Sequence, residues 1–180
     1  MADGTSRPIE TKEVDHKRER TLSLEVRSHR FGFAFFEGWN LLDWGVRRYP
    51  DCGVAAAKLG SLVTLYSPSV VVIRQVRRVR GKEQSSAAKA IHEIRRELVR
   101  SKIKYAILKR PRIQDFFAGY DCRTKHEIAS RLAGHFPTLK SMVPRPRRPW
   151  TPEPHATVIF DAVGTNAAFV GKLPDPNFAL

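Results

Sequence analysis

Cysteine is nearly absent: Cys52 and Cys122 are the only two, seventy residues apart, and neither belongs to a CxxC pair or a Cys/His cluster. That argues against a zinc site or a disulfide framework, and both read as structural thiols. His29, His92, His126 and His135 likewise lack ligand spacing. Long hydrophobic runs are missing too. No apolar stretch approaches the roughly twenty residues that span a bilayer, and the opening residues lack the apolar segment of a signal peptide. The expectation is a soluble cytoplasmic protein with no membrane partner.

The third scarcity is negative charge: 18 Asp and Glu stand against 32 Lys and Arg, a formal net charge of +14 in 180 residues. Such a surplus draws a chain to polyanions before any specific contact forms, and nucleic acid heads that list. The first twenty residues balance five acids against five bases, whereas residues 71 to 112 hold fourteen Lys or Arg against Glu83, Glu93 and Glu97. At 42% hydrophobic, the chain can bury one core. We therefore expect a disordered polar leader over 1–20, one domain over 21–172 and a tail over 173–180.

TLSLEVRS, FGFAFFEG and NLLDWGVRRY alternate as strands do and are joined by short turns, which predicts a three-stranded antiparallel meander. Ala55, Leu59, Leu62, Val63 and Tyr66 then fall at helical spacing behind Asp51, an N-cap, and Ser67-Pro68 stops that helix. A fourth strand, VVVIRQ, precedes an amphipathic helix over 85–102, and KYAILK makes a fifth strand. Thr124 and Glu127 form a capping box for a helix carrying Ile128 and Leu132. VPRPRRPWTPEP, with five prolines, is a rigid loop ahead of a last helix over about 153–170. Strands separated by helices run parallel, so the fold class is α/β: a mixed five-stranded sheet with helices on both faces.

Two basic stretches suggest phosphate contacts. Arg74, Arg77, Arg78, Arg80 and Lys82 follow the fourth strand, and Arg145, Arg147 and Arg148 lie in the proline-rich loop, where Trp150 either stacks on a base or packs the loop onto the core. Glu25 alternates with Leu22, Leu24 and Val26, so it lies on a solvated face unless its strand is covered on both sides, where an acid needs a partner. Asp161 sits between Phe160 and Ala162 in an otherwise apolar helix.

This element order, with LSLEVRSHRFGFAFFEG, TKHEIA and VIFDAVGTNAAF, resembles the RuvC-like branch of the ribonuclease H fold, which includes Holliday junction resolvases. The resemblance runs from about residue 22 to 170. It implies that Glu25 and Asp161 are catalytic metal ligands for Mg²⁺ or Mn²⁺, that Lys125 meets the nucleic acid near the scissile phosphate, and that the protein is a homodimer. The chain departs from the family at two ligand positions: Arg74 stands where a Glu is expected, and Val158 stands one helical turn before the Asp, where resolvases carry an acid or His. Two metals need bridging anions, so the departures imply a degenerate site in which Arg74 pairs with both carboxylates. In the competing reading, Glu25 and Asp161 hold a metal with help from Glu153 or His155. The functional readings are, in order, a nucleic-acid-binding protein without nuclease activity, DNA ahead of RNA; a metal-dependent endonuclease or junction resolvase; and a basic RNA-associated scaffold.

Overall fold

A computed structural model describes residues 19–76, 85–146 and 154–174. The meander forms as expected: β1 (Arg20–Val26), β2 (Arg30–Glu37) and β3 (Asn40–Arg48) are antiparallel neighbours. Helix α1 (Cys52–Tyr66) starts at Asp51, whose side chain accepts from the Val54 amide, and stops at Ser67 in the left-handed conformation. β4 (Val70–Arg74) then returns parallel to β1, and after α2 (Ser86–Arg100) comes β5 (Lys104–Leu108), parallel to β4. The sheet order β3-β2-β1-β4-β5 makes β1 the middle strand, as the ribonuclease H-like arrangement requires.

The chain then adds α3 (Arg110–Ala118), α4 (Lys125–His135), a 3₁₀ turn (Pro137–Met142) and α5 (Thr157–Val170). Helix α3 is not among the elements expected from the sequence. Its stretch RPRIQDFFA is largely polar and buries only Phe117, so apolar periodicity is faint; the usable signal is Pro111 near its first position, where a missing N–H costs nothing. The last helix begins at Thr157 rather than near 153.

Each face of the sheet carries its own core. Leu22, Leu24 and Val26 face α1 and α2 in a cluster with Phe33, Leu59, Ile73 and Ile94. On the opposite face α5 lies across β1 and β2, with α3 and α4 outside it, around Phe36, Phe117, Leu132, Phe160 and Val163. Ser23 and Glu25 alternate onto this α5 side of β1, both fully buried. Leu173 is buried too, just beyond α5. Among the described residues, no helix is long and apolar enough to cross a membrane.

Candidate functional site

Strand register decides what Glu25 meets. Leu22, Ser23 and Leu24 of β1 lie beside Val71, Val72 and Ile73 of β4, so the next step places Arg74 beside Glu25 and on the same face. A slip of one residue would have turned Arg74 to the opposite face. The guanidinium of Arg74 donates through Nη2 to Oε1 of Glu25, an ion pair in which the carboxylate side chain is only 1% exposed.

Asp161 reaches the same point through a close helix approach. Gly32 pairs with Glu25 across the β1–β2 ladder, and a Cβ built on Gly32 would lie 2.5 Å from the carbonyl oxygen of Val158. Only glycine lets α5 come so near. Val158 is three residues before Asp161, so this contact fixes the helical turn that presents Asp161 to the edge of the sheet. Val158 itself is fully buried and spent on packing.

The residue that joins the two carboxylates is Arg27. Its Nε lies 3.0 Å from Oε1 of Glu25 and its Nη2 lies 2.7 Å from Oδ2 of Asp161. Its backbone is tied on both sides: the Arg27 amide donates to the Arg30 carbonyl at 2.8 Å, and the buried Tyr49 hydroxyl donates to the Arg27 carbonyl. The expectation that Arg74 would bridge both carboxylates is therefore corrected. Arg74 pairs with Glu25, and the bridge comes from the turn after β1. The available signal is the i, i+2 spacing of Glu25 and Arg27, which puts both on one side of an extended chain.

Lys125 completes the cluster, its Nζ 2.9 Å from Oδ2 of Asp161. It opens α4, whose capping box is present: the Thr124 side chain accepts from the Glu127 amide, and the Glu127 carboxylate accepts from the amides of Arg123 and Thr124. Those backbone bonds hold the Glu127 carboxyl below its ordinary range. Burial acts the other way on Glu25, pushing its carboxyl up to about 7; the Asp161 charge adds to the rise, while Arg74 and Arg27 pull against it. Oε2 of Glu25 is buried without a hydrogen-bond partner among the described residues.

Three cations thus surround two carboxylates. A pair of divalent ions needs bridging anions in excess, and among the described residues no group of three His, Cys, Asp or Glu converges. This donor set does not fit a two-metal centre. His155 is exposed in the turn before α5, and Glu153 lies outside the described residues.

Of the expected phosphate contacts, Arg77, Arg78, Arg80, Lys82, Arg147 and Arg148 also lie outside the described residues. Arg145 is exposed and shares a small cavity with Lys125 and Thr124. His126 is structural, its Nδ1 2.9 Å from the Pro144 carbonyl oxygen. Two cavities open beside the ion-paired cluster. One, of about 950 Å³, runs along Arg27, Ser28, Arg74 and Arg110; the other, of about 350 Å³, lies among α3, α4 and α5 and reaches Asp161 and Lys125. Arg110, on the unexpected α3, lines both.

The sequence matches no protein-family model and no curated protein. Solved structures do resemble it. Thermus thermophilus RuvC in complex with a Holliday junction substrate superposes with a TM-score of 0.65 at 13% identity, covering 86% of this chain and 94% of that one. A second Thermus thermophilus RuvC structure gives 0.61 at 16% identity over 84% and 95%. The yeast mitochondrial Holliday junction resolvase Ydc2 gives 0.63 at 10% identity over 85% and 78%. The fold is RuvC-like, of the ribonuclease H class.

Proposed function

We propose that the protein uses this RuvC-like fold to bind nucleic acid, DNA ahead of RNA, without cutting it. The observation that carries the reading is the Arg74, Glu25, Arg27, Asp161, Lys125 chain of ion pairs, in which side-chain cations occupy the carboxylates that a nuclease of this fold needs for metal. Binding itself is supported by the +14 charge and by Arg27, Arg74 and Arg110 along the larger cavity at the same sheet edge. The likeness to Thermus thermophilus RuvC held on a Holliday junction substrate favours branched DNA, and a homodimer stays the expectation that the RuvC-like resemblance carries.

The test is incubation with labelled four-way junction, duplex and single-stranded DNA, with and without Mn²⁺, beside Asp161→Ala. Salt-sensitive binding with no cleavage product is the expected result. Products that require Mn²⁺ and vanish in the variant would instead establish a metal-dependent endonuclease acting through Glu25 and Asp161. That second reading is favoured by one observation, the survival of both carboxylates within reach of a single guanidinium. Affinity for RNA alone would move the protein to the scaffold reading.

A further inference from the structure

The larger cavity beside the ion pairs opens onto another space. Gln75 and Val76 line it and also line a cavity of about 350 Å³ between α2 and β5, where His92 and Arg95 are exposed. The Gln75 amide donates to the Leu108 carbonyl at 2.8 Å, which extends the β4–β5 pairing by one bond and fixes this residue between the two spaces. Its side chain is exposed there and offers an amide donor. Among the described residues, no Asp or Glu lines either space. The two acids of α2 are engaged elsewhere, Glu93 by Arg96 and Glu97 by Arg100. The groove that the two cavities make is therefore basic from end to end.

We infer that this groove is a track for the sugar–phosphate backbone of a bound strand, leading from the ion-paired site across Gln75 to Arg95 on α2. The inference rests on the nucleic-acid-binding reading above and adds the course of the strand and its indifference to sequence. Arg27, Arg74 and Lys125 outnumber the two carboxylates they pair with, so the ion-paired end keeps a positive charge. At the far end Arg95 is held by a neutral partner: its Nε donates to the Tyr105 hydroxyl oxygen at 3.3 Å, and its guanidinium lies 5.6 Å from the centroid of that ring. Arg95 is thus positioned without being neutralised. The stretch that joins Val76 to Ser85 carries Arg77, Arg78, Arg80 and Lys82 against Glu83, so it brings charge of the same sign. Like charges gathered along a groove call for a polyanion. Other ways out of the ion-paired site suit a strand less well. The cavity among α3, α4 and α5 presents Asp115 and Asp161, and the one beside Arg145 shares no described residue with the larger cavity. Among the described residues, no Phe, Tyr or Trp lines the groove, so it contacts phosphates and leaves bases unread.

The experiment measures binding of two labelled single-stranded oligonucleotides of unrelated mixed sequence, by fluorescence anisotropy across a salt series. Wild type is compared with Arg95→Glu, Arg95→Gln, Arg145→Glu and Lys140→Glu. Arg95 is exposed, so neither substitution there disturbs the core, and Lys140 is an exposed cation of the 3₁₀ turn that lines neither cavity. Arg95→Glu should weaken binding about tenfold, and by the same factor on both sequences, whereas Arg145→Glu and Lys140→Glu should each cost about twofold, the effect of net charge alone. Arg95→Gln should lower the slope of log affinity against log salt by about 0.7, the share of one phosphate contact on a single strand. Equal losses in Arg95→Glu and Lys140→Glu, or a larger loss in Arg145→Glu, overturn the track and leave nucleic-acid binding standing. A loss that depends on sequence would mean that bases are read there, and overturns it as well. No binding by the wild type overturns the nucleic-acid reading on which the track rests.

Discussion

Arg27 and Asp161, 134 residues apart in the chain, meet at 2.7 Å through Nη2 and Oδ2, while Nε of the same guanidinium sits 3.0 Å from Glu25. One side chain thereby ties the turn after the central strand to the helix that closes the other face of the sheet. Two carboxylates brought together this way would repel each other if both were charged, and the guanidinium between them offsets that repulsion.

Arg27→Ala leaves a buried carboxylate and a nearly buried one facing each other with only Arg74 and Lys125 beside them. Removing one partner of a buried pair typically costs about 3 to 5 kcal/mol, and Arg27 is 30% exposed, so a loss of about 3 kcal/mol is expected in chemical denaturation. Lys125→Ala removes a half-exposed partner and should cost under about 1 kcal/mol. Equal costs for the two variants would mean that Arg27 is not the central cation.

The pH dependence of stability should carry a signature of Glu25. Its folded-state value of about 7 lies above the ordinary 4.5, so between those values the folded protein binds more protons than the unfolded chain. Stability from this group is complete below about pH 4.5 and is lost as pH rises through 7. The loss accumulates across that window because the folded chain holds the Glu25 proton more tightly than the unfolded one. Glu25→Gln, which keeps the shape and removes the titration, should flatten the profile across that window in urea melts taken at each pH. A profile unchanged by the substitution would place the titration elsewhere.

Much of this is legible in the sequence, for identifiable reasons. The meander and the crossovers follow from period-2 alternation and from strands separated by helices, whereas the burial of Glu25 is expected only from the central place that the RuvC-like resemblance gives the first strand. Glu25, Asp161, Lys125 and Arg74 stand out once that resemblance is applied, and all four converge. Arg27 does not, because its partner Asp161 depends on how closely α5 lies on the hairpin, a distance set by Gly32 and invisible in local patterns. Helix α3 escapes notice because it buries one side chain, so Arg110 and Gln114, which line both cavities, have no element to place them.

Gly32→Ala tests that close approach. The added Cβ would sit 2.5 Å from the Val158 carbonyl oxygen and 2.6 Å from its Cγ1, and backbone does not yield cheaply. The helix must lift, which weakens packing along β1 and β2 and draws Asp161 away from Arg27. A loss of about 2 to 3 kcal/mol is expected, within the range for overpacked sites. In a double-mutant cycle with Arg27→Ala, the two costs should fall short of additive, because the lifted helix has already broken the ion pair. Full additivity would mean that the helix stays in place and the strain is absorbed elsewhere.

Metal response separates a closed site from one that is merely crowded. With Arg27, Arg74 and Lys125 on two carboxylates, Mn²⁺ at millimolar levels should leave the wild-type melting temperature unchanged, and so should a chelator. Arg74→Glu alters the count decisively: one cation goes, and a third carboxylate appears beside Glu25 on the same face of the sheet. Without metal this variant should be destabilised by like-charge repulsion in a buried place. Mn²⁺ should then restore about 1 to 3 kcal/mol, the stabilisation expected when a ligand at roughly ten to a hundred times its dissociation constant binds only the folded state. Rescue by Mn²⁺ but not by an equal ionic strength of NaCl would show that the carboxylates still hold a metal-binding geometry and that the arginine keeps it closed. A variant that Mn²⁺ does not rescue would mean that the geometry itself has gone, and that the ion pairs now serve the fold alone.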